Sequence, residues 1–255
     1  MVSLLFNRWN SSNYCFFIFF IFDRWNKKKY FFEEKNFLFF PILRGITFIP
    51  ILIIIFYALN YIPINIFTML LMTSPFFLLI FAKFILKETL NLISWVAIFV
   101  GFCGVLIVLQ PSASNINIFV FLVLFVAIYN AFNFTLVSKY SHIASSFGFT
   151  FYQYIPFTFF SYLFFILDPI FPTYIELILF VSAGVIVMIS MWAWNAAFHI
   201  AGKYSSIISP FFFTQIIWAT LFGTIFFSEK ISSTTIIGIV VIVVSGTIAI
   251  YNHNK

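Results

Sequence analysis

Residues 58–105 have the sequence ALNYIPINIFTMLLMTSPFFLLIFAKFILKETLNLISWVAIFVGFCGV, and this stretch decides the fold. Two long apolar runs flank a Lys87-Glu88 pair, and each is as long as a helix that crosses a bilayer, which needs about 20 mostly apolar residues. Residues 197–247 repeat the same order of features: an alanine-containing helix end, a Ser-Pro-Phe-Phe word, a terminal glutamate and a closing helix with glycine. The sequence therefore predicts a membrane protein with an internal repeat.

The composition excludes an ordinary soluble domain. Hydrophobic residues make up 63% of the 255 residues and charged residues 8%, against roughly 45–50% and about 25% in soluble domains. The net charge of +6 comes from basic residues scattered singly between apolar runs, so we expect no nucleic-acid partner. Cys15 and Cys103 have no metal-ligand spacing, and we expect neither a metal nor a cofactor.

Apolar runs separated by polar or proline-containing breaks predict about eight transmembrane helices in an all-α integral membrane protein. Helices are favoured over strands because the runs are long and do not alternate, and because a helix satisfies its own backbone hydrogen bonds in lipid. The basic residues 1–36 contain only a short apolar segment and are expected to be an interfacial stub or a degraded span. The predicted spans are 37–59, 64–86, 91–110, 116–138, 147–167, 175–198, 205–227 and 231–251.

The loop charges predict the orientation in a cell (inner) membrane, because lysine and arginine are retained on the cytoplasmic side. Alternate connections on the other side carry only Lys230. Both ends of the helical core are therefore expected to be cytoplasmic. Arg44 and the lysines near helix ends are expected to extend their charged groups to the interface. The cytoplasmic set comprises the basic amino-terminal region, Arg44, Lys83, Lys87, Lys139, Lys203 and Lys255.

The two copies are predicted to be inverted. Ser74-Pro75-Phe76-Phe77 and Ser209-Pro210-Phe211-Phe212 are their clearest shared words. By the loop charges, Glu88 ends its helix at the cytoplasmic side and Glu229 ends its helix at the external side. Inverted repeats are the architecture by which many secondary transporters build two related gates.

These residues resemble the drug/metabolite transporter superfamily, specifically its EamA-type members. The resemblance implies ten helices in two five-helix inverted repeats with cytoplasmic termini. It places the eight spans at the family's third to tenth helices, so the first two are expected to be missing from residues 1–36. The repeats are then 37–110, which is partial, and 116–251. The resemblance rests on these residues and motifs: Leu43-Arg44-Gly45, Ala58-Leu59 with Pro63, Trp95 with Gly101 and Gly104, and Trp218, Gly223, Gly238 and Gly246.

Few residues could carry chemistry. No aspartate or glutamate lies in the middle of a predicted span, which favours passive facilitation or exchange over proton antiport. A proton-relay role for His199 is disfavoured. Catalytic constellations are also missing from reachable spans, so an enzyme is not expected.

Neutral polar and aromatic residues are therefore the candidates for a site. The resemblance implies a cavity between the family's third, fourth, eighth and ninth helices. On that ground the substrate-binding candidates rank above Asn133 and Gln153, although interhelical hydrogen bonding is the alternative role for each polar side chain. These candidates are Asn60, Thr73, Trp194, Asn195, Gln215 and Trp218.

Hinges and gates are predicted at equivalent places in the two copies. Pro75 and Pro210 are expected to remove a backbone hydrogen bond inside a helix and leave a carbonyl free. Glu88 and Glu229 are interpreted as hinge or gate residues with specific partners, because the helix dipole disfavours a negative charge at a carboxyl end.

The leading functional hypothesis is an alternating-access carrier for a small neutral, zwitterionic or amphipathic metabolite. The alternatives are a transport-inactive truncated relative with a structural or interaction role in the membrane, and an uptake carrier of the S-adenosylmethionine type. An intramembrane enzyme is the weakest. The expected partners are the lipid bilayer and a small-molecule substrate, and a homodimer stays open.

Overall fold

The computed structural model describes residues 39–110, 118–167, 169, 172–228 and 232–253. Regular structure in this part of the chain is entirely helical, which confirms the predicted all-α fold. Residues 1–36, Glu229, Lys230 and Lys255 lie outside the described residues, so their predicted roles stay predictions. The elements are α1 (Phe39–Ala58), α2 (Ile64–Leu71), α3 (Ser74–Ile85), α4 (Leu92–Leu109), α5 (Ile118–Lys139), α6 (Ser146–Leu167), α7 (Tyr174–Ala201), a 3₁₀ helix (Gly202–Phe213), α8 (Thr214–Phe227) and α9 (Ser233–His253).

Seven helical stretches in the described residues are long and apolar enough to cross a membrane. One of them, Tyr174–Phe226, has 53 residues and covers the predicted span 175–198 and all but the last residue of 205–227. At 1.5 Å per residue such a helix would be roughly 80 Å long, far more than the ~30 Å hydrocarbon core. It is interrupted where a second crossing was predicted to begin, because Gly202 has φ +52° and Tyr204 leaves the helical region.

The first Ser-Pro motif lies at the start of a helix, not inside one. Pro75 is in the first turn of α3, where an N–H would have no helical partner anyway. An unbroken helix would have bonded the residue-75 N–H to the carbonyl of Leu71. That carbonyl instead accepts a hydrogen bond from Ser74 Oγ at 2.7 Å.

At the second Ser-Pro motif, a serine hydroxyl again bonds the carbonyl that would accept from the proline position in an α-helix. Pro210 lies inside the 3₁₀ helix, and the carbonyl it leaves without an α-helical donor belongs to Ser206. Ser209 Oγ donates to that carbonyl at 2.6 Å. The prediction that the prolines leave a free carbonyl was therefore wrong in both copies, because the preceding serine hydroxyl occupies it.

The closing helices of the two copies, α4 and α9, pack against each other in opposite directions. A Cβ on Gly104 would lie 2.8 Å from Ile242 Cγ1 and 2.9 Å from the Gly238 carbonyl oxygen, so the backbones approach too closely for a side chain. Further along, Gln110 Nε2 donates to Thr234 Oγ1 at 2.8 Å. From the first contact to the second, the residue numbers increase on α4 and decrease on α9, so the two helices are antiparallel.

A second close contact lies along the same helix pair. A Cβ on Gly101 would lie 2.9 Å from Ser245 Oγ. From Gly104–Ile242 to Gly101–Ser245 the residue numbers fall on α4 and rise on α9, as antiparallel packing requires.

The chain divides into two compact units, and each takes segments from both predicted repeats. Unit 1 contains residues 39–57 and 140–200, and unit 2 contains the described residues of 58–139 and 201–255. A core of unit 1 is formed by Leu52, Tyr154 and Phe157. A core of unit 2 is formed by Met72, Leu79, Ile98, Val105, Phe213, Ile216 and Ile242.

Candidate functional site

A buried arginine lies in the described part of unit 1. Arg44 on α1 is only 4% exposed, so the prediction that it extends to the interface was wrong. Its Nη2 donates to Asn195 Oδ1 at 3.4 Å, and its guanidinium carbon lies 5.7 Å from the centre of the Phe149 ring. The π face of an aromatic ring attracts a cation, which supports the charge here.

Asn195 extends this contact into a hydrogen-bonded chain. Its side chain is 1% exposed on α7, and Nδ2 donates to Thr150 Oγ1 on α6 at 3.0 Å. The Thr150 hydroxyl donates in turn to the carbonyl of Ser146 at 2.9 Å. One polar path therefore connects α1, α7 and α6 inside unit 1, and in a low-dielectric interior such a path fixes its members firmly.

Gly45 lies at a close approach of α1 to α6. A Cβ at position 45 would clash with the carbonyl oxygen of Gln153 and lie 3.0 Å from Pro156 Cγ. The two helices therefore touch at this glycine, one residue from the buried Arg44.

Unit 2 holds a buried acidic contact. Glu88, 6% exposed, follows α3, and its carboxylate accepts hydrogen bonds from the backbone N–H of Ser206 at 3.3 Å and from the Ser206 hydroxyl. The specific partner expected for Glu88 is thus found on the second copy. Lys83 and Lys87 nearby are exposed, as their interfacial interpretation requires.

The structure separates the predicted substrate-binding residues into two groups. Trp194 and Asn195 belong to unit 1, whereas Asn60, Thr73, Gln215 and Trp218 belong to unit 2. Of the six, Asn195 is buried. Its side-chain partners, Arg44 and Thr150, were not among the predicted site residues.

The unit 2 candidates lie in less enclosed places. Asn60 and Gln215 are exposed, and Trp218 is 56% exposed with its ring stacked on Phe222. Thr73 Oγ1 donates to the carbonyl of Leu70 at 2.6 Å, which stabilises the break between α2 and α3.

Asn133 and Gln153, which the sequence ranked below the substrate-binding candidates, are more buried than most of those candidates. Asn133 and Gln153 are 6% and 7% exposed, and Asn133 Nδ2 donates to the Tyr129 hydroxyl within the same helix. His199 Nε2 lies 3.0 Å from the carbonyl of Ala144 in unit 1. Trp194 is half-buried and stacks on Phe198.

An open apolar groove of about 600 Å³ runs along α1 and α6 in unit 1. Its lining has no polar side chain, so it can accommodate hydrocarbon but cannot orient a polar ligand. The lining residues are Ile46, Ile49, Pro50, Ile53, Ile155, Pro156, Phe159 and Phe160.

Sequence reasoning missed Arg44 and Ser206 as interior contact residues. A signal for Arg44 was present, since it lies several residues inside the predicted span 37–59 and precedes a glycine. Ser206 gave no such signal, because its contact with Glu88 joins positions 118 residues apart.

Comparison with known proteins identifies the family to which the chain belongs. The model of the EamA-like transporter family matches residues 1–110, a range that includes the amino-terminal stretch 1–36. A riboflavin transporter of Vibrio cholerae serotype O1 (strain ATCC 39315 / El Tor Inaba N16961) is 30% identical over 177 residues. The chain is an EamA-type member of the drug/metabolite transporter superfamily.

This EamA-type chain matches only part of that relative. The alignment covers 69% of the chain and 59% of the riboflavin transporter. A protein of known crystal structure has the same fold, with a TM-score of 0.77 over 99% of this chain and 89% of the other. At 15% sequence identity, that likeness shows the fold alone.

Proposed function

We propose that this EamA-type protein carries a small neutral or amphipathic organic molecule across a cell membrane. The observation that carries the proposal is its 30% identity to a riboflavin transporter over 177 residues. Riboflavin is uncharged, planar and amphipathic, so it lies within the substrate class that the sequence predicts. It is therefore the first substrate to test.

Arg44 and Asn195 are the proposed polar contacts of the substrate. A guanidinium offers five N–H donors and an amide offers both a donor and an acceptor, which suits a ligand rich in carbonyl and hydroxyl groups. Both side chains are buried and held in place, Asn195 by Thr150 and Arg44 by Asn195 and the Phe149 ring. Pre-positioned polar groups in an apolar surrounding favour selective binding.

Transport by alternating access is proposed for the same protein. The antiparallel packing of α4 against α9 supports this proposal, because inverted repeats place equivalent helices in opposite directions. Facilitation or exchange is the proposed energetic mode. The cell (inner) membrane, with both ends of the helical core cytoplasmic, is the proposed location, supported by the loop charges.

Uptake of labelled riboflavin into vesicles containing the purified protein tests this proposal. We expect time-dependent uptake that excess unlabelled riboflavin competes away, with empty vesicles as the control. An N195A variant should lose most of the uptake, whereas E176Q, which changes an exposed carboxylate of unit 1, should keep it. Uptake equal to that of empty vesicles for riboflavin and for a panel of amino acids and nucleosides would favour the transport-inactive alternative.

A further inference from the structure

The Glu88 carboxylate is turned inward by the backbone. Lys87, which directly precedes Glu88, has φ +56° in the left-handed region, and the Glu88 N–H donates to the carbonyl of Ala82 at 3.1 Å. The chain reverses at this point. Glu88 is thereby brought to the start of the Ser-Pro element of the second copy.

Ser206 links Glu88 to the proline of that element. Its N–H and hydroxyl both donate to the Glu88 carboxylate, while its carbonyl accepts from Ser209 Oγ at 2.6 Å. In an α-helix that carbonyl would accept from the N–H of residue 210, which proline does not have. Any movement of the helix at Pro210 therefore changes the position of the residue that holds Glu88.

Ser205, beside this contact, has an unsatisfied hydroxyl. The side chain is fully buried, and its Oγ has no hydrogen-bond partner among the described residues. A buried polar group left without a partner is uncommon in native structures. It would gain a partner if water reached it, so the closed arrangement is opposed by a group that opening would satisfy.

The contact is one-sided within the repeat. Aligning Ser209-Pro210 with Ser74-Pro75 places Leu71 opposite Ser206, and leucine has no hydroxyl to donate. The first copy therefore cannot form the same side-chain contact with the second glutamate. The hydroxyl that Ser206 gives to Glu88 therefore has no counterpart at the aligned position of the first copy.

We infer that Glu88 and Ser206 form a latch that holds unit 2 closed at this end, and that it opens by movement at Pro210, exposing Ser205 to water. The inference rests on the proposed transport function, because it assigns the closed state of one gate. Its expected consequence is that weakening the latch shifts the population towards the open state without any ligand.

A labelling experiment that does not depend on transport tests the latch. In a protein whose two native cysteines are replaced (C15A, C103A), S205C places a thiol at the buried position. The protein is held in nanodiscs, so both membrane faces are accessible, and its reaction rate with a water-soluble maleimide is measured. E88Q and S206A should each raise that rate about tenfold, the factor expected for loss of one buried interhelical hydrogen bond.

Three comparisons make the result decisive. E176Q alters an exposed carboxylate in unit 1 and should leave the rate unchanged. S206A keeps the backbone N–H donor, so it serves if E88Q does not give a monodisperse protein. Unchanged rates in both latch variants would overturn the latch. Raised rates together with zero flux of every substrate would confirm that the contact closes unit 2 and overturn the transport proposal instead.

Discussion

Arg44 and Asn195, 151 positions apart, are joined by a hydrogen bond from Nη2 to Oδ1 at 3.4 Å inside unit 1. The bond connects a helix of the first predicted repeat to a helix of the second. A charge buried among apolar helices is costly and marks a functional position by default. Arg44 is therefore the residue on which a test of the site should begin.

Removing the amide of Asn195 should destabilise unit 1. We expect N195A to lower the free energy of unfolding by about 1–2 kcal/mol, since Arg44 and Thr150 each lose a buried partner. N195D keeps an acceptor for Arg44 and should cost less. Thermal denaturation in detergent measures both, and an N195D protein less stable than N195A would contradict this account.

Replacing Arg44 with lysine tests whether transport needs the guanidinium group or only its positive charge. R44K keeps the positive charge but loses the planar fork of donors, so we expect uptake to fall while the protein stays folded. K83R, on an exposed lysine of unit 2, is the matched control and should transport normally. Normal uptake by R44K would remove the guanidinium from the proposed site.

The glycine contact between α4 and α9 should tolerate no side chain. G104A and G238A each put a Cβ under 3 Å from backbone of the facing helix, and we expect losses of about 1–3 kcal/mol from overpacking. G246A is the control, because its Cβ would lie 3.5 Å from Pro210 Cβ, an ordinary contact. Equal melting temperatures for all three variants would contradict the close approach.

The serine before Pro210 should matter only while the proline is present. S209A removes the donor to the Ser206 carbonyl and should destabilise by about 0.6–2 kcal/mol. In a P210A background an alanine N–H can bond that carbonyl, so the same S209A change should cost much less. A double-mutant cycle of unfolding free energies measures the difference, and additive effects would refute the explanation.

Substitutions at Gln215 and Trp218 should change the free energy of unfolding little, since both side chains are exposed. We expect Q215A to change the free energy of unfolding by no more than about 0.5 kcal/mol. If uptake nevertheless falls, Gln215 contacts the substrate; if uptake is unchanged, the predicted role is withdrawn. W218F keeps an aromatic ring on Phe222 and is the control for W218A.

The helices themselves followed from the sequence because their cause is local. A run of about 20 apolar residues has to satisfy its backbone inside itself when it lies in lipid, whatever surrounds it. The interruption predicted between the spans 175–198 and 205–227 lies where Gly202 adopts a left-handed conformation, which glycine takes without steric cost. The repeat was predicted from shared motifs such as Ser-Pro-Phe-Phe, and it stays a prediction.

The interior contacts did not follow, and the reason lies in the helices' composition. α4, α5 and α8 are apolar around nearly their whole circumference, so they have no polar stripe to show which side faces inward. Only the packing of distant segments could decide that Arg44 is buried on Phe149 and that Glu88 meets Ser206. Sequence alone determined an all-α membrane protein, because long apolar runs specify helices in lipid, and it predicted an inverted repeat from the loop charges and repeated motifs. Tertiary structure decided which of its few polar groups meet, because such contacts depend on chain segments more than 100 residues apart.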